Sequence, residues 1–368
     1  MSYVESIKTA LFIFPIIAFL FTVPFILNQY HKYGSIHKLR VFIVYSFILY
    51  MMTVYFLVIL PLPKISEVTR PISEMVQLQP FAFIPTFIQE TSFVISDPST
   101  YVKALTENCF YTVVFNIFMT IPFGMYLRYY FKCSLKKVAI CSFLLSLFFE
   151  LTQLSGLYFI YPSPYRLFDV DDLLMNTLGG VLGFFLMGLF TKLLPTRDKI
   201  DEDSLKDGTQ VSGLRRITLF FLDLFLCIMI TSILSFTFGG GNLITWISFF
   251  LYFVVLPKMM NQQTLGSKFL NVQFLYPNHW MIRQTLRMVF YFFYYLFLPF
   301  HLLIAFTYLK DFLMLEARES ILLFCGTLLF LFFFYFIHIL VLFIRKRIYY
   351  DYLFRITYQS TIGESDLK

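Results

Sequence analysis

The residues able to do chemistry in this chain gather in one stretch, 148–180. There Glu150, Gln153, Arg166, Asp169, Asp171, Asp172 and Asn176 interrupt an almost continuous run of Phe, Leu and Ile. Carboxylates, amides and one guanidinium suit three tasks: holding a polar headgroup, binding a hard cation, or moving a proton. The DVDD of 169–172 has neither the spacing nor the glycine of a calcium loop, so no metal is expected. No Ser–His or Cys–His pairing, HExxH or phosphate-binding loop accompanies the acids, and His31, His37, His279, His301 and His338 are scattered. The expectation leans away from an enzyme and names no cofactor. A carboxylate pair acting on a lipid-linked headgroup is the catalytic alternative.

The spacing of these residues indicates the elements that must carry them. Residues three or four apart share a helix face. Asn108, Thr112, Asn116, Thr120 and Gly124 form one such series, and Ser142, Ser146, Glu150 and Gln153 a second. Asp169, Asp172, Asn176, Gly180 and Gly183 form a third. A charged group facing lipid costs at least a few kcal/mol, so the three faces are expected to turn toward one another and line a pocket. Plainer roles stand beside this one. Asn116, Thr112 and Thr120 suit ordinary interhelical hydrogen bonds, Gly179 and Gly183 suit close packing, and Glu150 suits a simple pair with Arg166. Asp171 falls off the stripe and is expected in solvent.

With 58% hydrophobic and 14% charged residues, the chain reads as an integral membrane protein rather than a soluble one. The fold expected is an all-α polytopic bundle of about nine spans: 8–28, 41–60, 108–128, 138–160, 172–194, 217–237, 243–257, 287–309 and 320–344. The seventh is short enough to be tilted, broken or re-entrant. The Pro-punctuated segment 61–106 is placed at the interface. With the N-terminus outside, 22 of the 29 Lys and Arg fall on the inner side, which favours N-out, C-in over the reverse. The formal charge of +7 is attributed to these loops, and no nucleic-acid partner is expected. The five Cys form no CxxC pair and read as packing residues. The domains expected are 1–194, a hydrophilic cytoplasmic linker 195–213, and 214–368.

Several motifs now occur in a recognisable order. "QLQPF", "NIFMTIPFGMYL", "SLFFELTQL" and "YRLFDVDDLLMNTLGGVLGFFL" together resemble the VanZ-like family, named for a protein of glycopeptide (teicoplanin) resistance, over roughly 40–194. The family's recurring positions fall on Asn116, Pro122, Gly124, Glu150, Gln153, Arg166, Asp169, Asp172, Asn176, Gly179 and Gly183. The resemblance implies a multi-pass protein of the bacterial cytoplasmic membrane. It carries a phenotype rather than a reaction.

The second half has its own candidates. In "GLRRITLFFLDLFL" Arg216 and Asp223 lie seven apart on one face, about 10 Å along the helix. "NQQTLGSKFL" supplies Gln263, Thr264 and Lys268, and "RQTLR" adds Arg283 and Arg287. This order resembles the RDD family over roughly 213–310, with Gln262 where that family has glycine and Ser267 where it has lysine. The resemblance implies a membrane unit and, for some members, cation exchange. The plainer account of these basic residues is inner-surface charge or contact with anionic lipid. The tail "RKRIYYDYLFRITYQS" reads as a basic-aromatic interfacial segment.

The function expected is binding of an envelope lipid headgroup or related polar ligand at the outer face, lowering susceptibility to lipoglycopeptides such as teicoplanin. The partners would be membrane lipids, an envelope precursor lipid or the antibiotic itself. Transport, either lipid flipping or Na⁺/H⁺ exchange, is the alternative.

Overall fold

In a bilayer every backbone N–H and C=O must find its partner within the chain, so long apolar runs close into helices. The computed structural model of the chain describes residues 3–314, 316–345 and 349–363. The side chains of Asn108 and Arg345, and residues Lys346, Arg347 and Lys368, lie outside the described set. Among the described residues eight helices are long and apolar enough to cross a membrane. They meet eight of the nine expected spans, including the short seventh at Asn242–Met259. The remaining one, 287–309, falls on a helical run from Trp280 to Phe312 that is wound as a π-turn over Phe293–Phe297.

In chain order the helices are α1 (Tyr3–Tyr33), α2 (Lys38–Ile59), α3 (Phe83–Glu90), α4 (Tyr101–Leu105), α5 (Asn108–Tyr129), α6 (Leu135–Leu154), α7 (Gly156–Phe159), α8 (Val170–Phe190) and α9 (Arg197–Gly208). They continue with α10 (Gly213–Phe238), α11 (Asn242–Phe250), α12 (Leu256–Met259), α13 (Leu265–Phe269), α14 (Trp280–Phe292), α15 (Leu298–Phe312), α16 (Ala317–Arg345) and α17 (Tyr349–Leu353). The seventh span, α11 to α12, also carries a π-turn, over Leu251–Val255. The strands are β1 (Val76–Gln77), β2 (Phe168–Asp169), β3 (Val272–Leu275) and β4 (Thr357–Ser360). The chain clusters into two compact units, 1–22 with 38–200 and 23–37 with 201–368.

In the first unit α5 and α8 approach until their backbones touch. A Cβ on Gly124 would lie 1.9 Å from the Gly180 carbonyl oxygen, and one on Gly183 would lie 2.0 Å from that of Ile121. Small residues at this seam are what membrane helices use to pack closely. α6 lies on α8, where Ser142 Oγ fills the space beside Gly180. Val54, Met119 and Phe149 form one buried cluster, and Phe123, Leu127 and Val138 another. Segment 61–106 is mostly turns and short helices. It is stitched to the rest by parallel pairing of Val76 with Phe168 and Gln77 with Asp169.

The hydrophilic run after α8 is helical rather than open. Within the first unit Asp198 pairs with Lys132, and the Arg197 guanidinium lies 4.7 Å from the centre of the Tyr130 ring. In the second unit Ser35 Oγ donates to the Ser204 carbonyl at 2.6 Å.

Among the described residues the second unit has two buried apolar clusters. Cys227, Phe249, Tyr252, Phe253 and Tyr291 form one, while Tyr30, Leu219, Leu270, Phe274 and Ile356 belong to the other. The described part of the tail expected at the interface packs within this unit. β4 pairs antiparallel with β3, from Val272↔Ser360 to Leu275↔Thr357, and Ile356 is fully buried.

Candidate functional site

The three polar series converge, because α5, α6 and α8 present them to one another. Asn116 Nδ2 on α5 donates to Asp172 Oδ1 on α8. Thr120 Oγ1 donates to the Asn176 carbonyl at 2.8 Å. From α6, Ser146 Oγ donates to the Asp172 carbonyl at 3.2 Å and accepts from Asn176 Nδ2 at 2.9 Å. One turn further along α6, Glu150 Oε2 accepts the Asp169 N–H at 3.0 Å, just where β2 enters α8. Glu150 is 3% exposed and Asn176 equally buried, so both polar groups lie inside the bundle. Asn176 Oδ1 and Ser142 Oγ are buried and have no hydrogen-bond partner among the described residues.

The loop before α8 fixes the mouth of this cluster. Asp169 caps α8, its Oδ1 accepting from the Asp171 N–H at 2.8 Å and from Gln77 Nε2 at 3.3 Å. A side-chain acceptor at this position satisfies an otherwise orphaned N–H of the first turn. Burial pushes the Asp169 carboxyl above its usual range, and the hydrogen bond from the Asp171 N–H pulls partly the other way. Nearby Tyr165 is pushed up to about 12 by burial.

Arg166 does not pair with Glu150. Its Nη1 and Nη2 donate to the carbonyls of Val58 and Leu60, each at 2.8 Å, and Gln153 Nε2 joins the same Val58 carbonyl at 3.0 Å. Both side chains therefore tie the C-terminal end of α2, where helical carbonyls lack intrahelical partners, to the α6–α8 connection. Arg166 and Gln153 act first as supports for the loop that carries the acids.

Asp171 corrects the sequence reading. It is 3% exposed rather than solvated. Its carboxylate accepts the N–H groups of Phe81 at 2.6 Å and Phe83 at 3.0 Å, where α3 begins. A buried carboxylate holding two N–H groups contributes about 1.5–3 kcal/mol per bond. The signal for it lay outside the helix period, in "QLQPFAF", a turn with positive φ at Phe81.

The arrangement thus collects Glu150, Asp169 and Asp172 at one end of a three-helix seam, with the single nearby guanidinium directed to carbonyls. Residues 47–191 match the VanZ/LLP1 family model. The chain therefore carries a VanZ-like domain that contains every first-unit candidate, from Asn116 to Asn176. No curated protein and no solved structure matches the chain. Among the described residues, no three or more of His, Cys, Asp and Glu are placed to hold a metal ion, in this domain or beyond it.

Beyond the VanZ-like domain, the second-unit candidates divide. Asp223, 2% exposed, accepts from Tyr252 OH at 2.6 Å and from Thr264 Oγ1 at 2.9 Å. Gly266 is needed beside it, since a Cβ there would come within 2.4 Å of Asp223 Oδ1. Gln263 Nε2 donates to the Val272 carbonyl at 2.8 Å and so holds its own loop, while Lys268 is exposed. Arg216 lies with its Cζ 4.9 Å from the centre of the Tyr358 ring. Arg287 is buried, with Nε donating to Asp351 Oδ1 at 2.8 Å, and Tyr358 OH donates to the other oxygen of Asp351. Sequence reasoning missed Asp351, Tyr358 and Arg215. Arg215 is fully buried and donates to the carbonyls of Gly208, Leu270 and Asn271.

Proposed function

We propose that the acid cluster of the VanZ-like domain binds the polar headgroup of an envelope lipid or a related ligand, and that this lowers susceptibility to glycopeptide and lipoglycopeptide antibiotics such as teicoplanin. The observation that carries the reading is the gathering of Glu150, Asp169 and Asp172 around one seam, with Arg166 already hydrogen-bonded to Val58 and Leu60. Acids inside a membrane bundle are expensive and mark ligand or ion sites by default. The surplus of carboxylate favours a ligand with an ammonium group. We place the cluster at the extracytoplasmic side, on the distribution of Lys and Arg along the sequence.

The test is antibiotic susceptibility in cells carrying Glu150→Gln or Asp172→Asn at matched membrane abundance. The expected outcome is a loss of most of the protection in both. Unchanged protection in both would remove the cluster from the mechanism.

A second reading, cation exchange by an RDD-like unit at 213–310, is favoured by the meeting of Asp223 with Thr264 and Gly266 of the resembling loop. It predicts sodium- or proton-coupled flux in proteoliposomes that is lost in Asp223→Asn. Absence of flux from the wild-type protein would exclude it.

A further inference from the structure

One acceptor in the seam of α5, α6 and α8 is left over. Asn176 is 3% exposed, and its Oδ1 is buried with no hydrogen-bond partner among the described residues. Its neighbour fixes the orientation of the amide. Ser146 Oγ has one proton, which it donates to the Asp172 carbonyl at 3.2 Å. The group that meets it from Asn176 at 2.9 Å must therefore be the Nδ2 donor. Turning the amide over would set acceptor against acceptor. Ser142 Oγ is also partnerless, but a serine hydroxyl can rotate to a carbonyl one turn back along its own helix. Asn176 Oδ1 has no such exit, and a buried acceptor left unsatisfied is costly.

The surroundings of this oxygen are negative. Asp172 heads the preceding turn of α8, over which the Asn176 side chain leans. Glu150 stands close enough to Asp172 for the two charges to repel. Asn116 Nδ2 takes one oxygen of Asp172 and the Asp169 N–H takes one oxygen of Glu150, which leaves the second oxygen of each carboxylate. Asp169 and Asp172 are half-buried while Glu150 and Asn176 are buried, so the acceptors run from the mouth inward.

We propose that the group bound here is a primary ammonium and that Asn176 is the residue that selects it. The three N–H donors of an ammonium match three acceptors: the second oxygens of Asp172 and Glu150, and Asn176 Oδ1. A quaternary ammonium has no N–H to give and is held by aromatic faces instead, so it would leave Asn176 Oδ1 unsatisfied. A divalent metal ion asks for a converging set of hard ligands, and no three acids among the described residues are placed to hold one. The inference rests on the headgroup reading and names the chemistry of its ligand. An aminophospholipid and a free alkylamine both carry that chemistry.

Native mass spectrometry of the full chain tests it, from micelles containing equal amounts of phosphatidylethanolamine, its N-methyl and N,N-dimethyl derivatives, phosphatidylcholine and phosphatidylglycerol, all with the same acyl chains. The wild-type protein should retain phosphatidylethanolamine over phosphatidylcholine by about ten-fold, with retention falling at each methylation. Asn176→Leu keeps the branched shape and removes the acceptor, and it should bring the two lipids to parity. Ser142→Ala, which alters the same seam away from the site, should keep the preference. Displacement by added ethanolamine but not by choline would assign the site to the ammonium alone, and retention without displacement would assign it to the whole lipid. Should Asn176→Leu fail to fold, the methylation series in the wild type decides. Equal retention of phosphatidylethanolamine and phosphatidylcholine by the wild type would overturn this inference and leave the headgroup reading standing, whereas retention of neither above phosphatidylglycerol would overturn both. A preference untouched in Asn176→Leu, or lost equally in Ser142→Ala, would also overturn it.

Discussion

Asp169 joins cap, strand and acid cluster in one side chain, and its titration is a direct probe of the site. Its carboxyl is held above the usual range by burial, so the folded protein holds this proton to higher pH than the unfolded chain does. A carboxyl raised in this way adds stability below its unfolded value, near 4, and that stability is lost as pH rises through the folded value. Asp169→Asn keeps an acceptor for Gln77 and the Asp171 N–H but cannot ionise. Thermal unfolding of the detergent-solubilised protein should therefore depend less steeply on pH above 4 in this variant than in the wild type. Identical slopes would mean that Asp169 is already solvated. At this scale the sequence revealed residue types better than partners. The stripe containing Asn116, Glu150, Asp172 and Asn176 was legible because helical period and burial coincide. Asp171 and Arg166 were not, since their partners are backbone groups of Phe81, Phe83, Val58 and Leu60. Backbone acceptors and donors leave no mark in a list of residue types.

The helices were legible from length and apolarity, and what sequence alone did not show is how near they come. α5 and α8 meet at Gly124, Gly180 and Gly183, where backbone faces backbone. Gly124→Ala places a methyl 1.9 Å from the Gly180 carbonyl oxygen, so the helices must part. A cost of about 1–3 kcal/mol is expected for such overpacking, together with loss of the Asn116–Asp172 contact. Gly326→Ala in α16 is the matched control, since nothing lies within 4 Å of its Cβ position. It should be neutral or stabilise by up to about 1 kcal/mol through helix propensity. Thermal unfolding of the two variants side by side reads the difference, and equal shifts would remove the close seam from the account. The short pieces between spans were the least legible. The strand pairs β1–β2 and β3–β4 join segments far apart in sequence, and the register of two or four residues carries too little pattern to announce itself.

Across the whole molecule, the second unit is closed by charge as well as by apolar packing. Arg287 and Asp351 form a buried ion pair, 6% and 0% exposed, and the Tyr358 hydroxyl donates to the second oxygen of Asp351. Removing one partner strands the other charge. Arg287→Ala alone is expected to cost about 3–5 kcal/mol, whereas an apolar replacement of both residues at similar volume is expected to recover much of it. Chemical denaturation of the single and double variants measures the difference, and a double variant as unstable as the single would show that the pair itself supplies the stability. The expectation of two membrane units with a boundary near 195–213 was drawn from hydrophilicity. By contacts, the second unit also includes residues 23–37, because Tyr30 is buried among Leu270, Phe274 and Ile356.

That early segment has a consequence for how the protein is made. His31 stacks on Phe269 with ring centres 4.4 Å apart, and its Nδ1 meets the Phe269 carbonyl across a sequence separation of 238. At ribosomal speeds of about 5–20 residues per second, the end of α1 waits roughly 12–50 s for its companions to be synthesised. For that interval the cluster around Tyr30 lacks Leu270, Phe274 and Ile356, and the nascent chain must be sheltered by lipid or by the insertion machinery. Expressing residues 201–363 alone would leave the same vacancy for good.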